Sequence, residues 1–307
     1  MNNIIKIDSL KKSFGVLNAV DDVNFTVNKG EMLGIVGPDG AGKTTLIRIL
    51  CGIIKPDSGG GHIMGYDLLK DRNQVKNHIG YLSQKFSLYE DLTVDENIEF
   101  FAGIHQVKNF NKRRDELLVM TRLIDFRNRL AGRLSGGMKQ KLALVCTLIY
   151  KPDIIFLDEP TAGVDPVSRR DFWRILFTLL KDGMTIILTT AYLDEAERCS
   201  KIGMMHKGKF LVLDTFTSIK KLMKGIIYEI VCTKIREAYK ILLKHSFIRE
   251  IQSFGDRLNV VLDKKDAGEK IKEILRNNDI EILHIREISP SLENVFISLL
   301  KIKDNME

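Results

Sequence analysis

Nine consecutive residues carry the most specific chemistry in the chain: Gly37-Pro38-Asp39-Gly40-Ala41-Gly42-Lys43-Thr44-Thr45. They satisfy the pattern G-x-x-x-x-G-K-[ST], whose glycines let backbone N–H groups close around a phosphate. In that pattern the lysine adds a point charge at the β- and γ-phosphates, and the hydroxyl, here Thr44, ligates Mg²⁺. A second feature is Asp158-Glu159, two carboxylates at the end of the apolar run Ile154-Ile155-Phe156-Leu157. At a strand end, one carboxylate can reach a metal held by Thr44, while the next side chain, pointing the other way along the strand, can polarise a water in line with the γ-phosphate. A third is Ser135-Gly136-Gly137, another glycine-rich helix start. One nucleotide hardly needs two phosphate cradles, so this triplet is assigned to a nucleotide held by another subunit. Taken alone, such a triplet is commonly just a helix cap.

These groups need strands and helices to position them. Met32 to Val36 reads as a buried strand before the phosphate loop, and Leu46 to Leu50 as the helix after it. A strand, a glycine turn and a helix N-terminus aim several N–H groups and the helix dipole at one point. Upstream, Ile4 to Leu10 reads as a strand, Lys11 to Gly15 as a turn exposing Phe14, and Val23 to Val27 as a half-buried strand. Pro56 to Gly61 is a strong breaker before a short strand at His62 to Met64. Ile79 to Gln84 is a strand with a polar end. From Thr93 to about Leu134 the pattern is helical and heavily charged. Ser135 then opens an amphipathic helix with Met138, Leu142, Val145 and Ile149 on one side. Asp153 to Asp158 and Thr185 to Leu188 are apolar strands separated by a helix at Val167 to Leu180. Strands alternating with helices imply a mostly parallel sheet. Beyond about Thr215, strands at Ile226–Val231, Ile248–Phe254, Leu258–Leu262 and Ile282–Ile288 frame helices at Ile235–Leu243 and Ala267–Arg276. That βαββαβ order predicts a small ferredoxin-like α+β domain. Ser289-Pro290 reads as the cap and first position of a last helix.

The 307 residues suit one large domain and a smaller one, and 44% hydrophobic with 28% charged residues indicates an ordinary globular chain. No apolar stretch approaches the roughly 20 residues needed to span a bilayer, and no signal peptide is evident, so the expected location is the cytosol. Cys51, Cys146, Cys199 and Cys232 form no C-x-x-C pair, which predicts reduced, buried thiols. A formal charge of +7 suits an anionic partner, yet no basic run defines a nucleic-acid groove, and none is expected.

Over residues 4 to 215 the chain resembles the nucleotide-binding subunit of an ATP-binding cassette (ABC) transporter. The phosphate loop, Gln84, the signature Leu134-Ser135-Gly136-Gly137 and Asp158-Glu159 occur in the order that family requires. The resemblance implies an α/β fold: a P-loop ABC ATPase domain with a mixed sheet core and a helical signature subdomain at about 93–150. It also implies ATP and Mg²⁺ as cofactors. Residues 1–220 would form this domain and 221–307 the small C-terminal α+β domain. Phe14 would stack on adenine, Gln84 would sense Mg²⁺ and the attacking water, Asp158 would orient the metal, and Glu159 would be the general base. Ala162-Gly163-Val164-Asp165 occupies the dimer-facing loop. The segment Phe86 to Thr93 is the candidate contact with a membrane partner.

One residue departs from the family pattern. Ala191 stands where a switch histidine would contact the γ-phosphate, and His206 lies well beyond that motif. The segment beyond Gly225, above all Ile288 to Phe296, resembles the C-terminal extension of ATPases serving ABC-2-type exporters. Pro38-Asp39 and Ala191 resemble the first half of tandem exporter ATPases. With one cassette in this sequence, a second comes from another chain, identical or not. The implied function is an ATPase subunit that drives export through an ABC-2-type transmembrane permease, from the inner face of the cell membrane. The competing readings are a cassette protein acting on ribosomes or DNA, and an ATP-gated dimerisation module with little hydrolysis.

Overall fold

The structure, a computed structural model, describes residues 3–84, 88–263 and 267–304. It divides into two units, Met1–Asp214 and Thr215–Glu307. In the first, the elements run β1 (Asn3–Phe14), β2 (Leu17–Asn28), β3 (Met32–Val36), α1 (Lys43–Leu50), β4 (Ser58–Ile63), β5 (Tyr66–Asp67), α2 (Arg72–His78) and β6 (Ile79–Leu82). A helical stretch follows with α3 (Val94–Ile104), α4 (Asn111–Thr121) and α5 (Gly136–Leu148). The chain then returns through β7 (Ile154–Asp158), α6 (Pro166–Lys181), β8 (Thr185–Thr190), α7 (Leu193–Ala196), β9 (Lys201–His206) and β10 (Lys209–Asp214).

The central sheet has the order β10-β9-β3-β8-β7-β6, parallel throughout except for the antiparallel edge strand β10. Its strands are apolar on both faces because both faces are covered. Met32, Ile155, Leu157, Ile186 and Leu188 pack towards Phe172, Trp173 and the helices α3 to α6. Their alternates Leu33, Ile35, Ile154, Phe156 and Ile187 pack towards α1 and the second sheet, β2-β1-β4-β5. The register decides what matters for function. Val36 pairs with Thr190, Thr189 with Asp158, and Leu157 with Leu82. The residues that follow these strands therefore emerge side by side along the carboxyl edge of one sheet, where ligands of open α/β sheets bind.

Three local expectations are corrected. Lys11 to Phe14 is strand rather than turn, because β1 goes on pairing with β2, through shifts of register at Lys12, as far as the pair Phe14–Leu17. The glycine run is strand as well. Gly60 and Gly61 pair with Asp8 and Ile7, and a Cβ on Gly59 or Gly61 would lie 2.1–2.2 Å from the β1 carbonyls of Ser9 and Lys6. Glycine acts there as a close-approach residue, not a breaker. Helix α5 is not amphipathic in its second half, since Leu144 to Leu148 are all buried between the sheet and its neighbouring helices.

Asn97 holds the start of the helical stretch. It is fully buried, accepts from Tyr89 N–H, and donates to the carbonyls of Tyr89, Leu92 and Thr93. Next to it, Thr93 and Glu96 form a reciprocal capping box on α3.

The second unit runs α8 (Phe216–Lys221), β11 (Ile226–Cys232), α9 (Ile235–Leu242), β12 (Ile248–Ser253), β13 (Leu258–Leu262), α10 (Ala267–Arg276), β14 (Ile282–Ile288) and α11 (Leu292–Asp304). Its sheet order, β12-β13-β11-β14 and antiparallel throughout, is the ferredoxin-like arrangement expected from the βαββαβ pattern. Ile230, Val260, Leu242 and Ile271 lie in its core. The final helix is capped by Ser291 rather than Ser289. Ser291 Oγ accepts from Asn294 N–H while Asn294 Oδ1 accepts from Ser291 N–H, so the reciprocal pair fixes the start two residues later. Among the described residues no helix is long and apolar enough to cross a membrane.

Replacing Asn97 with Ala leaves a buried N–H and three carbonyls without this partner, and one buried unsatisfied group costs about 1–3 kcal/mol. Urea unfolding of Asn97→Ala should show a loss of at least that size; unchanged stability would mean that the 89–93 turn is held by its backbone alone.

Candidate nucleotide site

The loop between β3 and α1 borders a cleft of about 440 Å³, lined by Phe14, Leu17, Ala19, Asp39 to Thr45, Gln84 and Glu159. Its glycines have different causes. Gly42 has φ 102°, and a Cβ there would fall 2.0 Å from the Ala19 carbonyl; on Gly37 it would fall 2.2 Å from the Met205 carbonyl. Both are required by close packing against the backbone of other segments of this chain, at Ala19 and Met205. Gly40, at φ 76°, has nothing within 4 Å of its Cβ position. Pro38 completes the loop by accepting from Ala41 N–H. Lys43 is buried, and its ammonium donates to the carbonyls of Gly37 (2.8 Å) and Pro38 (3.1 Å). The same Nζ lies 3.1 Å from Glu159 Oε1, and Glu159 Oε2 accepts from Gln84 Nε2 at 3.0 Å.

Asp158 is fully buried beneath this group. Its Oδ1 accepts from Thr44 (3.0 Å) and Thr189 (2.8 Å), and its Oδ2 accepts from Tyr81 at 3.5 Å. Burial, with the Asp158 charge nearby, holds the Cys51 thiol well above its ordinary pKa; all four cysteines are free and buried. Glu159 does not follow the alternation of the strand. It lies one residue past β7 with φ 47°, a left-handed conformation uncommon outside glycine. Its N–H bonds both the hydroxyl and the carbonyl of Thr189. The turn, not the pleat, separates the two carboxylates.

Phe14 is half-exposed at the cleft, with Lys12 Nζ 5.4 Å from its ring centroid. Ser135 caps α5 by accepting from Met138 N–H, and Gly137 is required because a Cβ would meet Ser168 at 2.4 Å. Ser135 and Gly136 are exposed, and none of Ser135, Gly136 and Gly137 lines the cleft that holds Lys43. The structure thus gathers Phe14, the phosphate loop, Gln84, Asp158 and Glu159, and leaves the signature triplet apart. Ala191 is exposed just beyond β8, and His206 is the last residue of β9. Of the proposed partner-contact segment, residues 86 and 87 lie outside the described residues.

Sequence reasoning missed Thr189 and Tyr81, which fix Asp158. The available signal was two threonines, Thr189 and Thr190, closing an otherwise apolar strand. Among the described residues no cluster of three or more His, Cys, Asp or Glu is placed for a metal. The hydroxyl of Thr44 and the carboxylate of Asp158 are nevertheless the hard oxygen donors that Mg²⁺ takes, and the loop and cleft fit a nucleoside triphosphate.

Residues 20–162 match the ABC transporter family, and residues 215–300 match the C-terminal domain of DrrA1-3-like ATP-binding proteins. The bacitracin transport ATP-binding protein BcrA of Bacillus licheniformis is 32% identical, over 98% of both chains. The chain belongs to the ABC transporter ATP-binding proteins. The probable multidrug ABC transporter ATP-binding protein YbhF of Escherichia coli is 38% identical over 97% of this chain. The chain spans about half of that relative's length (52%). Among solved structures, an ATP-binding cassette seen as a dimer in a post-hydrolysis state with ADP and Pi aligns with TM-score 0.62. It shares 27% identity over 69% of this chain and 98% of its own. As an ABC ATPase the chain binds nucleotide.

Gly42→Ala forces an L-residue into a left-handed conformation, a strain of order 1–3 kcal/mol, before its clash with Ala19 is counted. Thermal unfolding should therefore detect this variant without nucleotide; a defect confined to nucleotide affinity would assign Gly42 to phosphate approach instead.

Proposed function

We propose that this chain is the ATP-hydrolysing subunit of an exporter of drugs or other hydrophobic compounds, working through a separate ABC-2-type transmembrane permease. The observation that carries the reading is the convergence of Lys43, Thr44, Gln84, Asp158 and Glu159 on one cleft, while Ser135 and Gly136 stand exposed outside it. The export assignment is supported by the names of the relatives and by the DrrA-like C-terminal domain. Two cassettes pair head to tail, each adding its signature triplet to the nucleotide on the other's phosphate loop. The chain acts in the cytoplasm as a peripheral subunit on the inner face of the cell membrane.

In this reading Phe14 stacks on the adenine. The N–H groups of the loop, with Lys43, hold the β- and γ-phosphates. Lys43 exchanges its ion pair with Glu159 for phosphate oxygens, which frees the Glu159 carboxylate to take the proton of the attacking water. Gln84, already bonded to Glu159, would orient that water. Thr44, Asp158 and Gln84 are the residues that would hold Mg²⁺, which when bound would neutralise charge on the phosphate oxygens. Catalysis is thereby mostly positioning and electrostatics.

A steady-state phosphate-release assay tests the enzyme reading, with Glu159→Gln as the blank. Wild type should exceed the blank clearly; if the two coincide, ATP acts only as a clamp for a dimer. Ala191 is the specific observation that favours that second reading, since the alanine side chain offers no hydrogen bond to the γ-phosphate.

Restoring the contact should separate a slow enzyme from a non-enzyme. Ala191→His should raise turnover by up to about tenfold, equivalent to ~1.4 kcal/mol off the barrier. No change, or a fall, would show that Ala191 does not limit hydrolysis.

A further inference from the structure

We propose that Glu195 is a positioning residue that locks the turn beginning at Glu159 to the segment carrying Ala191, so that the two move as one unit. The inference deepens the ATPase reading and rests on it. Glu195 is fully buried in α7, away from the cleft lining. A buried carboxylate is costly unless several partners hold it. Its two oxygens serve two different loops. Oε2 accepts from Thr190 Oγ1 at 2.8 Å, and the same Thr190 Oγ1 accepts from Tyr192 N–H at 3.0 Å. These bonds bracket Ala191 on both sides. Oε1 accepts from Thr161 Oγ1 at 2.6 Å and lies 3.4 Å from Arg169 Nε.

Thr161 is placed where it controls Glu159. Ala162 N–H donates to the Glu159 carbonyl at 3.1 Å, so Thr161 lies inside the tight turn that Glu159 opens. Val164 N–H in turn bonds the Thr161 carbonyl at 3.2 Å, which carries the same constraint into the loop ending at Asp165. Glu159 itself sits at φ 47°, a conformation that persists only when its surroundings over-determine it. On one side its N–H is held by Thr189; on the other, its turn is held by Glu195 through Thr161. Arg169 closes the arrangement from α6, with its guanidinium 4.4 Å from the Tyr192 ring centroid. One carboxylate thus joins the general-base turn, the 162–165 loop and the strand end at position 191.

The test uses the full chain and three measurements: kcat and KM for Mg-ATP by phosphate release, thermal unfolding, and dimerisation driven by the β,γ-imido analogue of ATP. Glu195→Gln keeps the shape but loses the charge facing Arg169. Thr161→Val keeps the shape but loses the hydroxyl. Each should lower kcat about tenfold with KM close to wild type and with Tm reduced but still well above the assay temperature, and each should raise the analogue concentration needed for dimerisation severalfold. The double variant should be no worse than Glu195→Gln alone, and Thr161→Ser should rescue most of the Thr161→Val loss. Wild-type kcat in both single variants would overturn the proposal. So would a loss of Tm that accounts for all of the lost activity, or failure of Thr161→Ser to rescue. If wild type itself does not exceed the Glu159→Gln blank, the ATPase reading fails separately. The dimerisation readout then decides on Glu195 alone, with an unchanged dose response counting against it.

Discussion

A single buried carboxylate, Asp158, ties together the elements on which the first unit depends. Its oxygens are met by hydroxyls from α1, β8 and β6: Thr44, Thr189 and Tyr81. Such a group is tolerable because hydroxyls donate to it in a water-poor interior, Thr189 and Thr44 closely and Tyr81 at longer range. The constraint runs outward from there. Thr44 can reach Asp158 only if α1 starts directly over the carboxyl end of β7. That in turn requires β3, β8 and β7 to be adjacent and parallel, in the register that pairs Val36 with Thr190 and Thr189 with Asp158. The apolar faces of the sheet supply the stability, and the polar end fixes the register in which that stability is used.

The pattern of apolar strands, the phosphate loop and the carboxylate pair were legible because each is local. Strand β3 is five consecutive buried residues before a glycine turn, and β13 and β14 have the same limits in sequence and structure. What was illegible depended on partners distant in the chain. The glycines at 59 to 61 look like a breaker until β1 is laid against them, when the missing side chains become the condition for pairing. Helix α5 looks two-sided because its apolar residues have helical spacing. Only the neighbouring helices and β6 show that its second half is enclosed. Likewise Lys11 to Phe14 has no strand pattern of its own and is strand because β2 accompanies it.

The site divides the same way. Lys43, Thr44, Asp158 and Glu159 announce themselves by type and spacing, whereas Thr161, Thr189, Thr190 and Glu195 are ordinary residues given meaning by contact. The assumption that adjacent carboxylates diverge by strand alternation also failed for a physical reason. Strand β7 ends at Asp158, and Glu159 leaves it through a left-handed turn that no pleat describes. The left-handed turn at Glu159 is therefore the place where the regular sheet gives way to the edge that borders the cleft.

That transition explains why the polar network lies behind the cleft rather than in it. A general base must hold its position while the charge around it changes, and in the proposed reading Lys43, the ion-pair partner of Glu159, would also become a ligand for the phosphate. If the backbone of Glu159 relied on Lys43 for its placement, arrival of the nucleotide would release both at once. Instead the N–H of Glu159 is fixed by Thr189, and its turn by Thr161 and Glu195, none of which lines the cleft. The side chain can thus change partners without withdrawing any of the bonds that hold its backbone. Ala191, on the same strand end, takes nothing from that support, because the bonds flanking it come from Thr190 and the Tyr192 backbone. In the proposed reading, a site built this way would lose a phosphate contact at position 191 and keep its base in place.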